Sequence, residues 1–261
     1  QIFGYDILRM VEAARMVEDA GADIVDINCG CPVPKVVKRG GGCELMRQPT
    51  HLARILSAVR QAITIPLTLK IRAGWDDNSR NAIEIAKLAE DSGIAMLAIH
   101  GRTRRALYRG DADWDLVASV VDAVSIPVVG SGDVVDGESA KERRSSGVAG
   151  LMIGRAALEN PWVFSQIQAE QAGRILQPPT PLDVVQVLEE YRELLLEELP
   201  ERAVIGRLKQ FASHVTKLIP RSKEWRRALC TSSGLTEFDQ VIELMNETFS
   251  RGQKVPQSAA A

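Results

Sequence analysis

A short polar segment, Asn28-Cys29-Gly30-Cys31-Pro32, combines residue types that can do chemistry. It follows a segment at 23–27 whose apolar residues, Ile24, Val25 and Ile27, are typical of a buried strand. A basic, glycine-rich stretch at 35–42 comes next. Loops held by rigid strands carry much of protein function. Cys31 lies between glycine and proline and close in sequence to several cations. It is therefore a candidate reactive thiol.

Polar residues also recur where later apolar runs end. They are Lys70 and Arg72; His100 and Arg102; Ser131, Gly132 and Asp133; and Gly154 and Arg155. The glycine turns at 130–133 and 154–155 are of a kind whose backbone N–H groups, with a helix N-terminus, can hold a phosphate. Lys70 and Arg72 alternate with apolar residues and so point to one side of a strand. An electron-rich partner such as a flavin ring would stabilise them there.

These residues also have structural interpretations. Lys70 and Arg72 could instead pair with carboxylates such as Asp26, and His100 could be a hydrogen-bonded core histidine. The Cys-x-Cys pair at 29–31 has no second pair at the spacing of a structural zinc site, and we expect no metal.

Repeated segments predict the elements that position this chemistry. Ala20-Gly21-Ala22, Ser92-Gly93-Ile94 and Ser146-Gly147-Val148 each follow an amphipathic pattern and precede an apolar run, so glycine is expected to end a helix there. We expect strands near 1–4, 23–28, 66–72, 95–100, 126–131 and 149–154, and helices near 6–20, 50–62, 79–92, 113–124 and 137–146. Strands that alternate with helices in this way predict parallel βαβ units.

Six such strands favour an α/β fold, a (β/α)₈ TIM barrel whose first two βα units are missing. An open doubly wound sheet is the alternative.

Asn160-Pro161 predicts the start of a helix that runs to about 172. Further helices are expected near 182–199, 203–218, 222–230 and 236–250. The predicted domains are a partial barrel at 1–175, an all-α domain at 180–251 and a disordered tail at 252–261.

Composition limits the possible functions. The 261 residues are 45% hydrophobic and 25% charged, as in an ordinary globular protein. A net charge of −2 means that any nucleic-acid surface must be a local patch. The basic clusters are Lys35, Lys38 and Arg39; Arg102, Arg104, Arg105 and Arg109; and Arg221, Lys223, Arg226 and Arg227. No transmembrane run or signal peptide is recognisable, and the four cysteines suggest reduced thiols, so a cytoplasmic location is expected.

The chain resembles the tRNA-dihydrouridine synthases, most closely their bacterial branch, over essentially its whole length. The matching motifs are Gln1-Ile2-Phe3-Gly4, residues 28–32, Lys70-Ile71-Arg72-Ala73-Gly74-Trp75, His100-Gly101-Arg102-Thr103-Arg104, Ala112-Asp113-Trp114, Gly154-Arg155-Ala156 and Arg207-Leu208-Lys209-Gln210-Phe211. The resemblance implies a monomeric FMN enzyme that reduces particular uridines of tRNA to 5,6-dihydrouridine, with NADPH as the electron donor.

The resemblance also implies residue roles. Cys31 would be the general acid, giving a proton to C5 of uracil while flavin N5 gives a hydride to C6. The residues implied to hold FMN are Gln1, Lys70, His100, Arg102, Ser131, Gly132, Asp133, Gly154 and Arg155. Those expected to contact the substrate are Asn28, which would orient the uracil, and Lys35, Lys38, Arg39, Arg72, Arg104, Arg207 and Lys209. A buried flavin requires the target uridine to leave its stack.

The sequence departs from the family pattern at three points. Ser131 stands where asparagine is usual, which shortens one phosphate-side contact, and Ala106 stands where glutamine is usual. The family's opening Pro-Met-x-Gly strand is absent. Two other functions remain open: an FMN barrel that reduces a small pyrimidine-like substrate, and a non-catalytic RNA-binding remnant. The all-α domain argues against the first, and flavin content would test the second.

Overall fold

The chain forms two compact units in the computed structural model, which describes residues 1–174 and 176–251. The first unit is Gln1–Gly154, and the second begins at Arg155. The sequence prediction had grouped residues up to 175 with the barrel, whereas the observed boundary comes directly after the last strand. The predicted tail at 252–261 lies outside the described residues.

A parallel sheet forms the centre of the first unit. Its strands are β1 (Val25–Asn28), β2 (Leu67–Arg72), β3 (Met96–His100), β4 (Val128–Ser131) and β5 (Gly150–Met152), and they pair in sequential order. The strand predicted near 1–4 is reduced to one parallel bridge between Ile2 and Ile27. Sequential order and purely parallel pairing are what successive βαβ units of a barrel produce.

The strand register brings the candidate residues to one edge of the sheet. Asn28 pairs with Lys70, Arg72 pairs with His100, and His100 pairs with Ser131. All of these positions lie at the carboxyl ends of their strands. The predicted clustering of polar residues at this edge is therefore present in the first unit.

Helices flank the strands of this unit. They are α1 (Ile7–Asp19), α2 (Pro34–Val37), α3 (Pro49–Ala62), α4 (Ala82–Asp91), α5 (Trp114–Ala123) and α6 (Gly137–Arg144), with a 3₁₀ turn at Gly42–Arg47. The longer ones lie where the sequence predicts them, but α2 and the 3₁₀ turn fall in the stretch expected to be a loop. Asp113 caps α5 by accepting a hydrogen bond from Leu116 N at 2.8 Å.

A glycine follows the end of three of the helices, as the repeated segments predict. Gly21, Gly93 and Gly147 have φ angles of 85°, 80° and 80°. An L-residue with a side chain rarely adopts this left-handed conformation, so glycine turns the chain from helix to strand at low cost.

The second unit is entirely helical in its described residues. Its helices are α7 (Arg155–Glu159), α8 (Val163–Gln171), α9 (Pro181–Glu198), α10 (Glu201–Val215), α11 (Ser222–Thr231) and α12 (Leu235–Ser250). Phe238, Leu208 and Trp225 belong to its buried core. The predicted helix start at Asn160 is wrong. Trp162 is the N-cap of α8, and the Asn160 amide instead donates to Gln166 Oε1 at 2.8 Å. Among the described residues, no helix has the length and apolarity needed to cross a membrane.

Candidate active site

The turn after β1 is held by the side chain of Asn28. Its Oδ1 accepts hydrogen bonds from the backbone N–H groups of Gly30 at 3.0 Å and Cys31 at 2.8 Å. Its Nδ2 donates to Gln1 Oε1 at 2.8 Å, and Gln1 Nε2 donates to Asp26 Oδ2 at 2.5 Å. Both ends of the Asn28 amide are therefore used within the protein. In this arrangement Asn28 positions the turn that carries Cys31.

Of the three cysteines Cys29, Cys31 and Cys43, Cys31 is the one whose side chain is partly exposed. Cys29 and Cys43 are fully buried, whereas Cys31 is half-buried and free. Burial raises the pKa of the Cys43 thiol to about 12, and it also raises the pKa of Cys29. The Cys31 carbonyl accepts from Cys43 N at 3.1 Å, and a Cβ on Gly42, whose φ is 59°, would lie 2.6 Å from that carbonyl oxygen. Glycine is thus required where the next loop closes against the turn.

Arg72 is a buried clamp between loops. Its Nε donates to Gly30 O at 2.9 Å, and its Nη1 donates to Thr103 O at 3.1 Å and Leu107 O at 3.0 Å. Only 4% of the residue is exposed. All three acceptors are backbone carbonyls, which joins the Cys31 turn to the loop after β3. The sequence prediction assigned Arg72 to the substrate, whereas its polar contacts here are with the protein.

Lys70 lies two residues before Arg72 on β2, and among the described residues no carboxylate forms an ion pair with its ammonium group. It is half-buried, and it makes no hydrogen bond or ion pair with residues 1–174 or 176–251. Its pKa is lowered mainly by burial and then by the charge of Arg72, and Asp26 opposes this shift. The alternative of a direct Lys70–Asp26 ion pair is not realised, because the carboxylate of Asp26 accepts from Gln1 and from Thr68 Oγ1 at 2.7 Å.

His100 is buried and only half satisfied. Its Nδ1 lies 3.5 Å from Ser131 Oγ, and its buried Nε2 has no hydrogen-bond partner among the described residues. Burial, followed by the charges of Arg72 and Lys70, lowers its pKa to about 3. The imidazole is therefore neutral at physiological pH. A satisfied core histidine would not leave one ring nitrogen buried and unpaired.

Arg102, in the loop after β3, and Asp133, in the loop after β4, form an ion pair. Arg102 Nη2 lies 2.8 Å and 2.7 Å from the two carboxylate oxygens, and it also donates to Gly110 O at 2.5 Å. Its Nη1 is buried without a partner among the described residues. Gly132 has a φ of 123°, and a Cβ there would lie 2.5 Å from the Cβ of Ala112. Only glycine fits between the pair and the loop.

The remaining predicted residues are more scattered. Lys35, Lys38 and Arg39 are exposed on and after α2, and Arg104 is half-buried in the loop after β3; Arg207 is exposed and Lys209 half-buried on α10 of the second unit. Gly154 ends the first unit and Arg155 begins the second, so the turn predicted there spans the boundary. The ligand contacts assigned to all of these residues stay predictions.

Tyr108 is a part of this site that sequence reasoning did not find. Its ring lies 5.8 Å from the guanidinium carbon of Arg72 and makes an edge contact with the ring of His100 at 6.3 Å. The only local signal was an aromatic residue within a basic loop. That signal is weak, because both contacts depend on how the loop folds back over the sheet.

The fold and this edge define a parallel α/β protein whose candidate active site lies at the carboxyl ends of its strands, as in a barrel enzyme. Residues 1–253 match the family described as dihydrouridine synthase (Dus), and the chain belongs to that family. The resemblance seen in the sequence and the predicted α/β barrel class are thereby confirmed.

Curated relatives agree with this assignment. The chain is 47% identical to tRNA-dihydrouridine synthase B of Proteus vulgaris over 197 residues, which covers 74% of the chain and 61% of the relative. It is 36% identical to a probable tRNA-dihydrouridine synthase of Rickettsia conorii over 257 residues, 98% of the chain and 74% of the relative. A probable tRNA-dihydrouridine synthase of Rhodobacter capsulatus is 48% identical over 175 residues, 67% of the chain and 54% of the relative.

Proposed function

We propose that this chain is the catalytic part of a flavin-dependent enzyme that reduces uridines of tRNA to 5,6-dihydrouridine, with NADPH as the electron donor. The observation that carries the proposal is the placement of Cys31. Its turn is fixed by two hydrogen bonds to Asn28 Oδ1, at 3.0 and 2.8 Å, and its thiol remains partly exposed. A general acid has to be held in one place and still be reachable by its substrate.

A flavin mononucleotide fits the unsatisfied groups of the same edge. His100 Nε2 and Arg102 Nη1 are buried polar atoms without a protein partner in the described residues, and Lys70 is a half-buried cation without an ion pair there. Arg102 and Lys70 call for hydrogen-bond acceptors, which the ring carbonyls and phosphate of FMN provide, and the flavin edge offers both donors and acceptors to His100 Nε2. When bound, FMN supplies the hydride that reduces C6 of uracil.

The chain's own residues would then complete the reduction. The Cys31 thiol would give its proton to C5 of uracil and remain in place as the thiolate. Asn28 holds the turn, and Arg72 holds Gly30 O, so the thiol keeps one position during the transfer. His100 contacts the cofactor as a neutral ring, since burial keeps its pKa at about 3. Lys70 brings a positive charge to the edge of the ring where reduction develops negative charge.

The polyanionic substrate would be bound by local basic surfaces. Lys35, Lys38 and Arg39 are exposed next to the Cys31 turn, and Arg207 is exposed on α10. Cations at these positions can neutralise RNA phosphates although the whole chain carries a net charge of −2. The second unit is accordingly proposed to contribute RNA contacts.

The first test compares Cys31→Ala with Cys230→Ala, the same change at a half-buried cysteine of the second unit. We expect Cys31→Ala to keep its flavin and to lose about 10²–10⁴-fold in dihydrouridine formation on unmodified tRNA, because a general acid contributes about that much. Cys230→Ala should react like the unchanged chain. Mass spectrometry of the tRNA measures the product.

Several results would reject the proposal. Turnover by Cys31→Ala within a factor of about three of the unchanged chain would remove Cys31 from the role of acid. Reduction of free uridine without reduction of tRNA would favour the small-pyrimidine alternative. A purified chain that takes up no flavin would favour the RNA-binding remnant.

A further inference from the structure

The indole of Trp75 has two arginine side chains against it. Trp75 follows β2, and the guanidinium carbons of Arg47 and Arg104 each lie 4.6 Å from its ring centroid. Arg47 ends the 3₁₀ turn Gly42–Arg47, and Arg104 belongs to the loop after β3. Arg104 N donates to Gly74 O at 2.9 Å, which fixes this loop to the one that carries Trp75. We call Arg47, Trp75 and Arg104 the Trp75 site.

Positive charge at the Trp75 site is poorly compensated. Arg47 has one carboxylate near it, Glu44, whose two oxygens are both 3.3 Å from Nη1, and 52% of the Arg47 side chain is exposed. The Nε of Arg104 is buried with no partner among the described residues. Asp76 is nearby, but its Oδ1 already accepts from Ser79 Oγ at 2.7 Å. A guanidinium group that stacks on an aromatic ring keeps its N–H groups in the plane, where they can bind an anion.

A cavity of about 420 Å³ opens beside these side chains. Arg47 and Trp75 line it together with Met46, Pro49, Asp76, Ser79 and Asn81. The carboxylate of Asp76 is engaged on both sides, because Oδ1 accepts from Ser79 Oγ and Oδ2 lies 3.9 Å from Arg105 Nη1. Asn81 Nδ2 donates a hydrogen bond to Met46 O at 2.8 Å, which fixes this side chain against the 3₁₀ turn. The volume is within the range of pockets that hold small ligands. Met46, Pro49 and Trp75 give it an apolar and aromatic wall, and Arg47 is the cation among its lining side chains. This combination suits a flat ring whose phosphate lies toward Arg47.

The cavity belongs to the same edge of the sheet as the candidate active site. The 3₁₀ turn that ends in Arg47 begins at Gly42, next to the Cys43 N–H that donates to Cys31 O at 3.1 Å. Trp75 follows Arg72, whose Nε donates to Gly30 O at 2.9 Å. A polymer that delivers one nucleotide to Cys31 would therefore have a neighbouring nucleotide within reach of this cavity.

We infer that the Trp75 site binds one nucleotide of the RNA substrate that flanks the target uridine. The guanidinium groups of Arg47 and Arg104 contact its phosphate, and the base lies in the cavity against the apolar wall. This inference rests on the proposed function, because it takes RNA as the substrate. The phosphates of a dinucleotide electron donor have similar chemistry, so the experiment has to distinguish the two sources.

The test measures equilibrium binding of unmodified tRNA by fluorescence anisotropy, which needs no turnover. Arg47→Met keeps an apolar chain over the ring and removes the charge. It should weaken tRNA binding roughly tenfold, the effect of one charge-assisted hydrogen bond, and lower the salt slope of log K by about 1.

Arg47→Lys should keep the salt slope but recover only part of the affinity, because an ammonium lacks the planar fork. Glu44→Gln should strengthen binding about two- to threefold, since it frees Arg47 from its carboxylate.

The matched control is Arg15→Met, which removes an exposed arginine in the second half of α1. This variant should bind tRNA like the unchanged chain. Equal tRNA affinity for Arg47→Met and Arg15→Met would overturn the inference. A rise in the KM for NADPH in Arg47→Met with unchanged tRNA affinity would also overturn it and would assign the site to the electron donor. An unchanged chain that binds tRNA but forms no dihydrouridine would reject the proposed function alone, and one that binds no tRNA would reject both.

Discussion

The buried His100 of the candidate active site makes the free energy of unfolding depend on pH. Its pKa is lowered from 6.5 to about 3, first by burial and then by the charges of Arg72 and Lys70. Between these two pH values the unfolded chain binds a proton at this residue and the folded chain does not. The free energy of unfolding contributed by His100 is therefore fully present above about pH 6.5 and falls as the pH drops toward 3.

A substitution at His100 isolates this contribution. Between pH 7 and pH 5 the unchanged chain should lose about 1–2 kcal/mol more free energy of unfolding than His100→Gln, which cannot take up a proton. Urea titrations at the two pH values measure both losses. Other acidic and basic groups titrate in both chains and cancel in the comparison. Equal losses would mean that His100 can be protonated in the folded state, contrary to its burial among cations.

At the scale of elements, the Arg72 side chain on β2 holds two other segments in contact with each other. Its guanidinium connects the turn after β1, through Gly30 O, with the loop after β3, through Thr103 O and Leu107 O. The bonds to Gly30 O and Thr103 O are buried, so these two carbonyls depend on this side chain, whereas Leu107 is partly exposed. A buried carbonyl left without a donor costs typically about 1–3 kcal/mol.

Replacing Arg72 by lysine tests this dependence while the charge is kept. An ammonium cannot reach carbonyls in three directions, so Arg72→Lys should lower the free energy of unfolding by about 2–4 kcal/mol. Hydrogen exchange should also increase in the loop at 103–110. Arg105→Lys is the control, since that side chain is 75% exposed and lies 3.9 Å from Asp76. If the two variants were equally stable, the clamp would have no structural role.

Elements with local signals were predictable from the sequence, and long-range contacts were not. Gly21 and Gly93 end helices because their backbone conformation favours glycine in any context. Arg72 reaches carbonyls that are 42 and 31 residues away in the chain, and no local pattern encodes such partners. The start of α8 was misplaced for a related reason: the amide of Asn160, expected to cap the helix, found Gln166 instead.

In the candidate site too, the positions set by local signals were predictable and the contacts between distant residues were not. Parallel strands place their carboxyl ends together, so Lys70 and His100 could be assigned to one edge before the structure was known. Which of the edge residues face each other and which keep free polar atoms depends on the loops. The Asn28 amide is an example, because its role as a brace requires Gln1 to lie alongside β1.

At the scale of the whole molecule, the chain has two separate cores. Phe238 is fully buried in the second unit, among Leu208, Trp225 and other apolar side chains. The core of the first unit is formed by the sheet and its flanking helices. Compact units with their own cores are expected to lose structure separately, so two-state unfolding should not describe this chain.

A core truncation in one unit tests this separation. Phe238→Ala should destabilise the second unit by about 3–5 kcal/mol, because it leaves a cavity. Hydrogen exchange followed by mass spectrometry should then show faster exchange in α9 to α12 and unchanged protection in β2 and β3. Leu244→Ala, a change at a 38%-exposed position of the same helix, should alter neither region. A parallel loss of protection in the strands would show that the units unfold together.

The sequential order of the strands has a consequence for biosynthesis. Each strand from β2 to β5 pairs with the strand made just before it. On the ribosome the newest strand would find its partner already exposed on the growing edge, without waiting for a distant segment to be translated. Synthesis at about 5–20 residues per second leaves each helix ample time to form before the next strand emerges. The nascent sheet can thus lengthen in step with translation.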